Sequence, residues 1–390
     1  MLLLLIGALC GQAEAAEPTV GTRTLLDGWL RSAPPLFDGT SDADESVSWS
    51  LGGLVRGGYI ADQRLLWSGT EQTFTAQAVL SPEFRTVVGN WNLRIAGTTL
   101  LNLPTDGNLL NSPANRLYRA DLVPPVLDVF SLRGELQQGD LTLILGKRPT
   151  PFGKYPGQIF TNNFADAPFL RTDIVGFTDV GAFARWTPGN WRFDGGIVNG
   201  GPGLDTNSGK GLAGRIGYET ETSWLGVSVR ADDGDGSEWQ KRIRNAVGLD
   251  AGIRRGDWWL GGEAVQEQHG FRHEPTLTPL ALDLGRRSLY GRDHFVADER
   301  PINGFAYWVG AGWQHGRLGL ELNYGASYPE KVGDAWHDAP VQRAIVKAVY
   351  RPAPRMEVFW IFLQENRRPV PSIIANIQPY GSWLGTQFVF

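Results

Sequence analysis

Among the side chains that commonly carry chemistry, the histidines come first. There are five, His269, His273, His294, His315 and His337, and all fall in segments that read as loops or turns. His269 and His273 stand four apart beside Glu267 and Glu274, residue types that ligate metals. No helical pattern surrounds them to bring both rings onto one face, so a solvated loop is the better reading. Asp293 and His294, with Asp298 nearby, have the residue types of an acid–base pair at the rim of a barrel protease. No matching carboxylates stand on opposing segments, and no serine stands in a lipase motif beside a histidine. The run Asp-Gly-Asp-Gly at 233–236 lacks the closing glutamate of a calcium loop. Gly-Lys-Gly at 209–211 lacks the glycine spacing and the following Ser or Thr of a phosphate loop. The chain is therefore expected to be no enzyme and to hold no cofactor or metal.

The residue that the sequence does place in a pattern is arginine, present 30 times against 6 lysines. Its meaning depends on the elements that carry it. In a chain of 390 residues with a net charge of −5, nucleic acid is not an expected partner. Gly 50 and Trp 15 are high, while Cys 1 and Met 2 are nearly absent. Past the N-terminus no apolar run is long enough for a membrane helix. Residues 1–15 read as a secretory signal peptide, with an apolar stretch from Leu2 to Leu9 and an Ala13-Glu14-Ala15 cleavage site. No Lys or Arg precedes that stretch, which leaves a start further upstream open. Cys10 would leave with the signal, so no disulfide framework is expected. Residues 16–45, rich in Pro, Asp, Ser and Gly, read as a periplasmic leader, and 46–390 as a single β domain.

From Val47 onward, sixteen segments alternate with period two. They lie at about 47–59, 71–81, 89–99, 126–136, 140–148, 179–187, 190–199, 211–219 and 223–231, around Val247–Ile253, and at about 257–266, 304–314, 317–327, 341–351, 355–364 and 381–390. In 317–327 the residues Leu318, Leu320, Leu322 and Tyr324 face one way, and Arg317, Gly319, Glu321 and Asn323 the other. Short connections such as Pro188-Gly189, Arg255-Gly256 and His315-Gly316 alternate with long ones. One apolar face, one polar face and an alternating loop rhythm describe an all-β, antiparallel transmembrane barrel of sixteen strands. A soluble sandwich or propeller is the alternative. It is disfavoured by the polar, Gly-rich second faces, and by Trp49, Trp91, Trp186, Trp191, Trp258 and Trp313 at strand ends, where membrane girdles form.

A sixteen-stranded barrel encloses a water-filled channel, and the faces opposite the lipid side must line it. Parity assigns thirteen basic and nine acidic residues to that lining or its rims, among them Arg94, Arg133, Arg215, Arg343 and Lys347. An arginine on the lipid face would cost about 2–4 kcal/mol at the midplane, so the inward assignment is forced. An excess of basic charge favours anions; for any one arginine, a wall ion pair with Glu or Asp is the competing reading. The third long loop, 149–178, begins after Lys147 and Arg148 and contains Phe152, Phe160, Phe164, Phe169 and Phe177. It is too apolar for free exposure and is expected to fold into the lumen as a constriction, with Lys154 and Arg171 setting selectivity beside Asp166 and Asp173; a loop packed over the mouth or against a neighbouring subunit is the alternative. The last segment, GSWLGTQFVF, puts Leu384, Phe388 and Phe390 on one face and Gly385, Gln387 and Val389 on the other. It is the strand expected to pair with 47–59 and close the barrel.

The segments GKRPTPFGKYPG (146–157), NWRFDGGIVNGG (190–201) and SGKGLAGRIGYE (208–219) resemble the phosphate-selective porin O and P family. The closing aromatic Phe390, with Phe388 two residues before it, resembles the C-terminal signature of bacterial outer-membrane barrels, which the assembly machinery reads. The resemblance implies a homotrimeric, sixteen-stranded channel in the outer membrane, surrounded by lipid, for phosphate or similar anions. It implies arginines along the pore and lysines near its mouth; parity and the third loop make Arg94, Arg133, Lys147, Arg148, Lys154, Arg171, Arg215, Arg343 and Lys347 the candidate pore contacts. The chain departs from the family in having no lysine cluster in its loops. A general or carbohydrate-type porin, a barrel protease or lipase, and a structural barrel with a plugged lumen are the alternatives.

Overall fold

The computed structural model describes residues 37–40, 47–62, 72–104, 127–154, 178–199, 210–231, 242–271, 302–329, 341–353, 355–367 and 380–390. Sixteen of its strands form one closed antiparallel barrel: β2 (Ser48–Asp62), β3 (Gln72–Val88), β4 (Trp91–Pro104), β5 (Leu127–Gln138), β6 (Leu141–Pro149), β7 (Thr178–Trp186), β8 (Trp191–Val198), β9 (Gly211–Glu219), β10 (Ser223–Ala231), β11 (Arg242–Arg255), β12 (Trp258–Phe271), β13 (Ile302–His315), β14 (Leu318–Pro329), β15 (Val341–Ala353), β16 (Met356–Arg367) and β17 (Tyr380–Val389). Each strand pairs with its neighbour in sequence, and β17 pairs with β2 from Gly381↔Asp62 to Val389↔Leu54. Closure leaves no edge in lipid, which is the condition for β-structure to span a membrane. Five of the short turns at one rim are built on Gly89, Gly139, Gly189, Gly256 and Gly316, with φ between 54° and 62°. Only glycine adopts that left-handed backbone without strain.

Alternation decides which residues meet lipid. Leu145, Ile197, Leu212, Ile216, Val247, Leu260 and Leu384 point outward, with exposures of 55–69%, or 52% for Ile216. Trp49, Trp186, Trp191, Tyr218 and Trp258 form an outward aromatic belt at the short-turn rim. Tyr59 and Phe74, and the cluster Phe305, Tyr307, Tyr324 and Tyr328, lie toward the long-loop rim. Two aromatic girdles with an aliphatic band between them are the expected dress of a transmembrane barrel.

The strands run past the sequence-based ends in several places. Pro82 cannot donate a ladder hydrogen bond, which argues for a break after residue 81. The register instead continues through it, with Leu80↔Thr99 and Glu83↔Ala96 on the same ladder. His269 and His315, expected in loops, belong to β12 and β13. Residues 37–40, within the span read as a leader, form a further strand, β1 (Phe37–Thr40).

β1 pairs with Ser48–Leu51 on the edge of β2 that lies beyond the reach of β17. Between the two, Gly53 and Phe390 exchange both backbone hydrogen bonds, at 2.6 and 2.9 Å. Residues from the two ends of the sequence thus line up as one composite strand along β2. The Phe390 ring covers Gly53, where an added Cβ would lie 2.9 Å from it and 2.2 Å from the Val79 carbonyl. Deleting Phe390, or substituting Gly53→Leu, is expected to lower the yield of folded barrel and its resistance to unfolding on a heat-modifiability gel. Bilayer selectivity of the folded fraction should stay as in the parent protein.

Candidate functional site

The inner wall is charged, and the charges lie flat against it. Arg215 of β9 reaches across β10 to Asp250 of β11 with two hydrogen bonds, 2.8 and 2.7 Å, while its Nη1 donates to Glu219 at 2.6 Å. The route is open because Gly217 and Gly226 lie beneath the guanidinium. A Cβ on Gly226 would stand 2.4 Å from Nη2, and one on Gly217 2.5 Å from Nη1. Trp224 likewise lies over Gly252 and Gly261, Phe183 over Gly196, and Phe359 over Gly385. These inward glycines give large side chains room to run sideways along the wall, which accounts for part of the high glycine content.

Three more clusters complete this wall. Arg148 of β6 donates to both Asp194 oxygens, at 2.9 and 3.0 Å. Arg185 donates to the same carboxylate at 2.9 Å, and Arg192 stands 3.6 Å from it. Arg94 bonds Glu135 at 2.8 Å and also Glu83, and Arg133 bonds Glu135 at 2.7 Å. Arg230 donates to both oxygens of Asp179, at 2.6 and 3.1 Å, with neither side chain exposed.

The chain that leaves β6 turns inward. Thr150 donates to Asp179 and so joins the Arg230 pair. Phe152, 2% exposed, packs against Gly248 of β11. The Gly153 amide donates to the Ser228 hydroxyl of β10 at 2.8 Å. Lys154 bonds Glu219 at 2.6 Å and stands 5.5 Å over the Trp224 ring. Residues 150–154 therefore cross the lumen face of β7–β9 and are pinned to β9–β11; residues 155–177, the rest of the expected constriction loop, lie outside the described residues.

The far side of the wall differs. Trp308, Ile345, Phe359, Ile361, Leu363 and Trp383 point inward and are at most 5% exposed. Trp308 donates to Glu263 at 3.0 Å, and Arg351 and Gln387 share Glu357. That sector is a packed interior, whereas on the arginine side Arg185 and Arg192 are 24% and 39% exposed.

Of the residues picked from sequence, Arg94, Arg133, Arg148, Lys154 and Arg215 meet on the described inner wall, and Arg343 and Lys347 are buried on the inward face of β15. Lys147 is the exception. It pairs with Leu132 and Val180 and shares the outward face with Leu143 and Leu145, because Arg148 takes the inward position next to it. Arg171, Asp166, Asp173, Phe160, Phe164, Phe169 and Phe177 lie outside the described residues, as do Asp293, His294, Asp298, His273 and His337. Phe388 and Phe390 stand together at the seam, ring centroids 6.3 Å apart. Sequence reading missed Glu83 and Asp179. Asp179 shares its parity with Arg185, and that signal was available; Glu83 lay past the expected end of its segment at 81.

Removing Asp194 by Asn leaves Arg148 buried without its charge partner. Breaking such a pair costs about 3–5 kcal/mol, so Asp194→Asn should unfold at clearly lower urea in liposomes. Gly226→Val should show a similar loss, because the Arg215 guanidinium is displaced. Asp257→Asn at the exposed rim pair with His315 should leave the midpoint unchanged.

No family model matches the chain, and no curated protein matches its sequence. Solved structures match its fold. An outer membrane protein of Vibrio cholerae, OmpT, superposes with a TM-score of 0.60 at 10% identity over 88% of this chain and 100% of that one. The anion-selective porin from Comamonas acidovorans gives 0.54 at 12% identity, covering 88% and 100% of the two chains. The outer membrane channel DcaP of Acinetobacter baumannii gives 0.59 at 14% identity, covering 90% and 99%. The chain is similar to these proteins in architecture: it has the fold of bacterial outer-membrane porin barrels.

Proposed function

We propose that the chain is an outer-membrane channel through which small polar solutes diffuse passively, anions in preference, phosphate or similar ions among them. The observation that carries the reading is the Asp194 cluster. One carboxylate is shared by Arg148, Arg185 and Arg192, so two positive charges remain uncompensated there, and two of the three guanidiniums face water. Fixed cations on a low-dielectric wall raise the local concentration of anions. The inward segment 150–154 narrows the lumen beside them, and Lys154 stands at its end. Lipid contacts the aliphatic band, the assembly machinery engages the closing strand, and the working form is a homotrimer. No bond is made or broken in this reading.

The packed sector around Trp308 and Phe359 favours a second reading, a barrel whose lumen is filled and whose role is structural. A planar bilayer under a salt gradient separates the two. The channel reading expects stepwise conductance and an anion-selective reversal potential. Arg185→Glu with Arg192→Glu should move that potential toward cations, and Lys154→Ala with Arg171→Ala should shift it in the same direction to a lesser degree. An absence of conductance from folded protein would favour the filled barrel, and a cation-selective potential in the parent protein would remove the anion preference. Hydrolysis of a peptide or lipid substrate, lost in His294→Ala, would instead establish the enzyme alternative.

A further inference from the structure

One inward arginine lacks what its counterparts have. Arg94, Arg133, Arg148, Arg185, Arg215 and Arg230 each bond a carboxylate on the wall. Arg254 of β11 shares the inward face with Asp250, which Arg215 already holds. Among the described residues no carboxylate stands within ion-pair reach of Arg254. It is half-buried, two residues before the turn glycine Gly256. Its charge is therefore neither neutralised by the wall nor fully hydrated.

Beside it lies an aromatic face. The register sets Arg254, Trp259, Gly312 and Glu321 in one row across β11, β12, β13 and β14. Trp259 points into the lumen, while Trp258 and Leu260 on either side of it face lipid at 60% and 57% exposure. The indole lies across Gly312, where an added Cβ would stand 2.0 Å from Nε1 and 2.4 Å from Cε2. The missing side chain lets the ring run along the wall toward Glu321. Gln314, also inward on β13, stands next to the row. Arg254, Trp259, Gln314 and Glu321 are all partly open to water. Toward the long-loop rim the inward residues Val265, Ala306 and Trp308 are fully buried, so the row is a ledge at which the wall opens.

We propose that Arg254, Trp259, Gln314 and Glu321 bind a phosphorylated monosaccharide. A guanidinium without a carboxylate offers its paired N–H groups to a phosphate. The face of an indole is electronegative, and the C–H bonds on the face of a pyranose ring complement it. The Glu321 carboxylate accepts from ring hydroxyls, and the Gln314 amide donates or accepts. Neighbouring strands lie about 4.8 Å apart, so the row spans about 14 Å between its end Cα atoms, room for a sugar ring with its phosphate. An aromatic anion would suit Arg254 and Trp259 but would meet Glu321 as an unmatched like charge. Inorganic phosphate would use Arg254 alone, and a neutral sugar would leave that guanidinium unmatched. The proposal rests on the channel reading for the passage of the solute, not for its binding.

The test dialyses the folded full chain, in mild detergent, to equilibrium against labelled glucose 6-phosphate. Binding should saturate, and unlabelled glucose 6-phosphate should displace the label at a concentration at least tenfold below that needed with inorganic phosphate or with glucose. Arg254→Gln and Trp259→Ala should each weaken binding at least tenfold, and Trp259→Phe, which keeps a flat ring, should retain most of it. Gly312→Ala should also weaken binding, because it lifts the indole from its seat while every contact residue stays. Trp258→Ala, on the lipid side, should leave binding unchanged. Displacement by inorganic phosphate as effective as by glucose 6-phosphate overturns the proposal, as does binding undiminished in Arg254→Gln or Gly312→Ala. A salt-gradient bilayer separates the ledge from the channel. A folded chain that binds the sugar phosphate and does not conduct keeps the ledge and loses the channel reading; a conducting chain without saturable binding loses the ledge alone.

Discussion

In hydrocarbon a backbone N–H or C=O has no water to bond, and each unpaired group costs several kcal/mol. Every large feature of this molecule answers that constraint. Sixteen strands close on themselves, the turns at one rim use glycines with positive φ, and the stretch of β2 beyond β17 is covered by β1. Once the backbone is satisfied, side chains are sorted by parity alone. That sorting puts Leu145 and Ile197 in lipid and their neighbours Ile144, Arg148 and Asp194 inside.

The inside then poses its own electrostatic demand. Arginines near a low-dielectric wall need partners, and the partners here are often two or more strands away. Arg215 reaches Asp250 across β10, and Arg148 reaches Asp194 across β7. Both need a flat path, which Gly226 supplies for Arg215. Neighbouring pairs on this wall tie the segment that enters the lumen to the strands behind it, so the barrel wall and the inward segment share residues. Asp179, Thr150 and Arg230 are one such junction.

Much of this was legible from the sequence because a period of two is easy to read where one side must be apolar. The strand count, the loop rhythm and the seam between the last and first barrel strands all follow from it, while the inward course of Phe152 and Lys154 follows from the apolar character of their segment. Boundaries were less legible. The second segment was expected to end at 81, yet the strand runs on through Pro82 with its register intact. Lys147 and Arg148 looked alike as cations, yet adjacent residues on a strand must face opposite ways, and β6 spends its inward position on Arg148. Pairings that skip a strand, such as Arg215 with Asp250, leave no local trace in the sequence, because they depend on which glycines lie between them in space. The packed sector around Trp308, Ile345 and Phe359 was also hidden, since inward apolar residues read like any other alternation.

The seam at Gly53 and Phe390 joins residues separated by nearly the whole barrel sequence. Contacts between such distant residues form slowly, because the intervening chain must first be ordered. All the neighbouring hairpins can therefore mature while the sheet is still open, and this one pairing converts the open sheet into a cylinder. The final locking event is thus a kinetic checkpoint: a sheet with a misregistered strand anywhere along it brings its two margins together at the wrong height, and the composite strand cannot form.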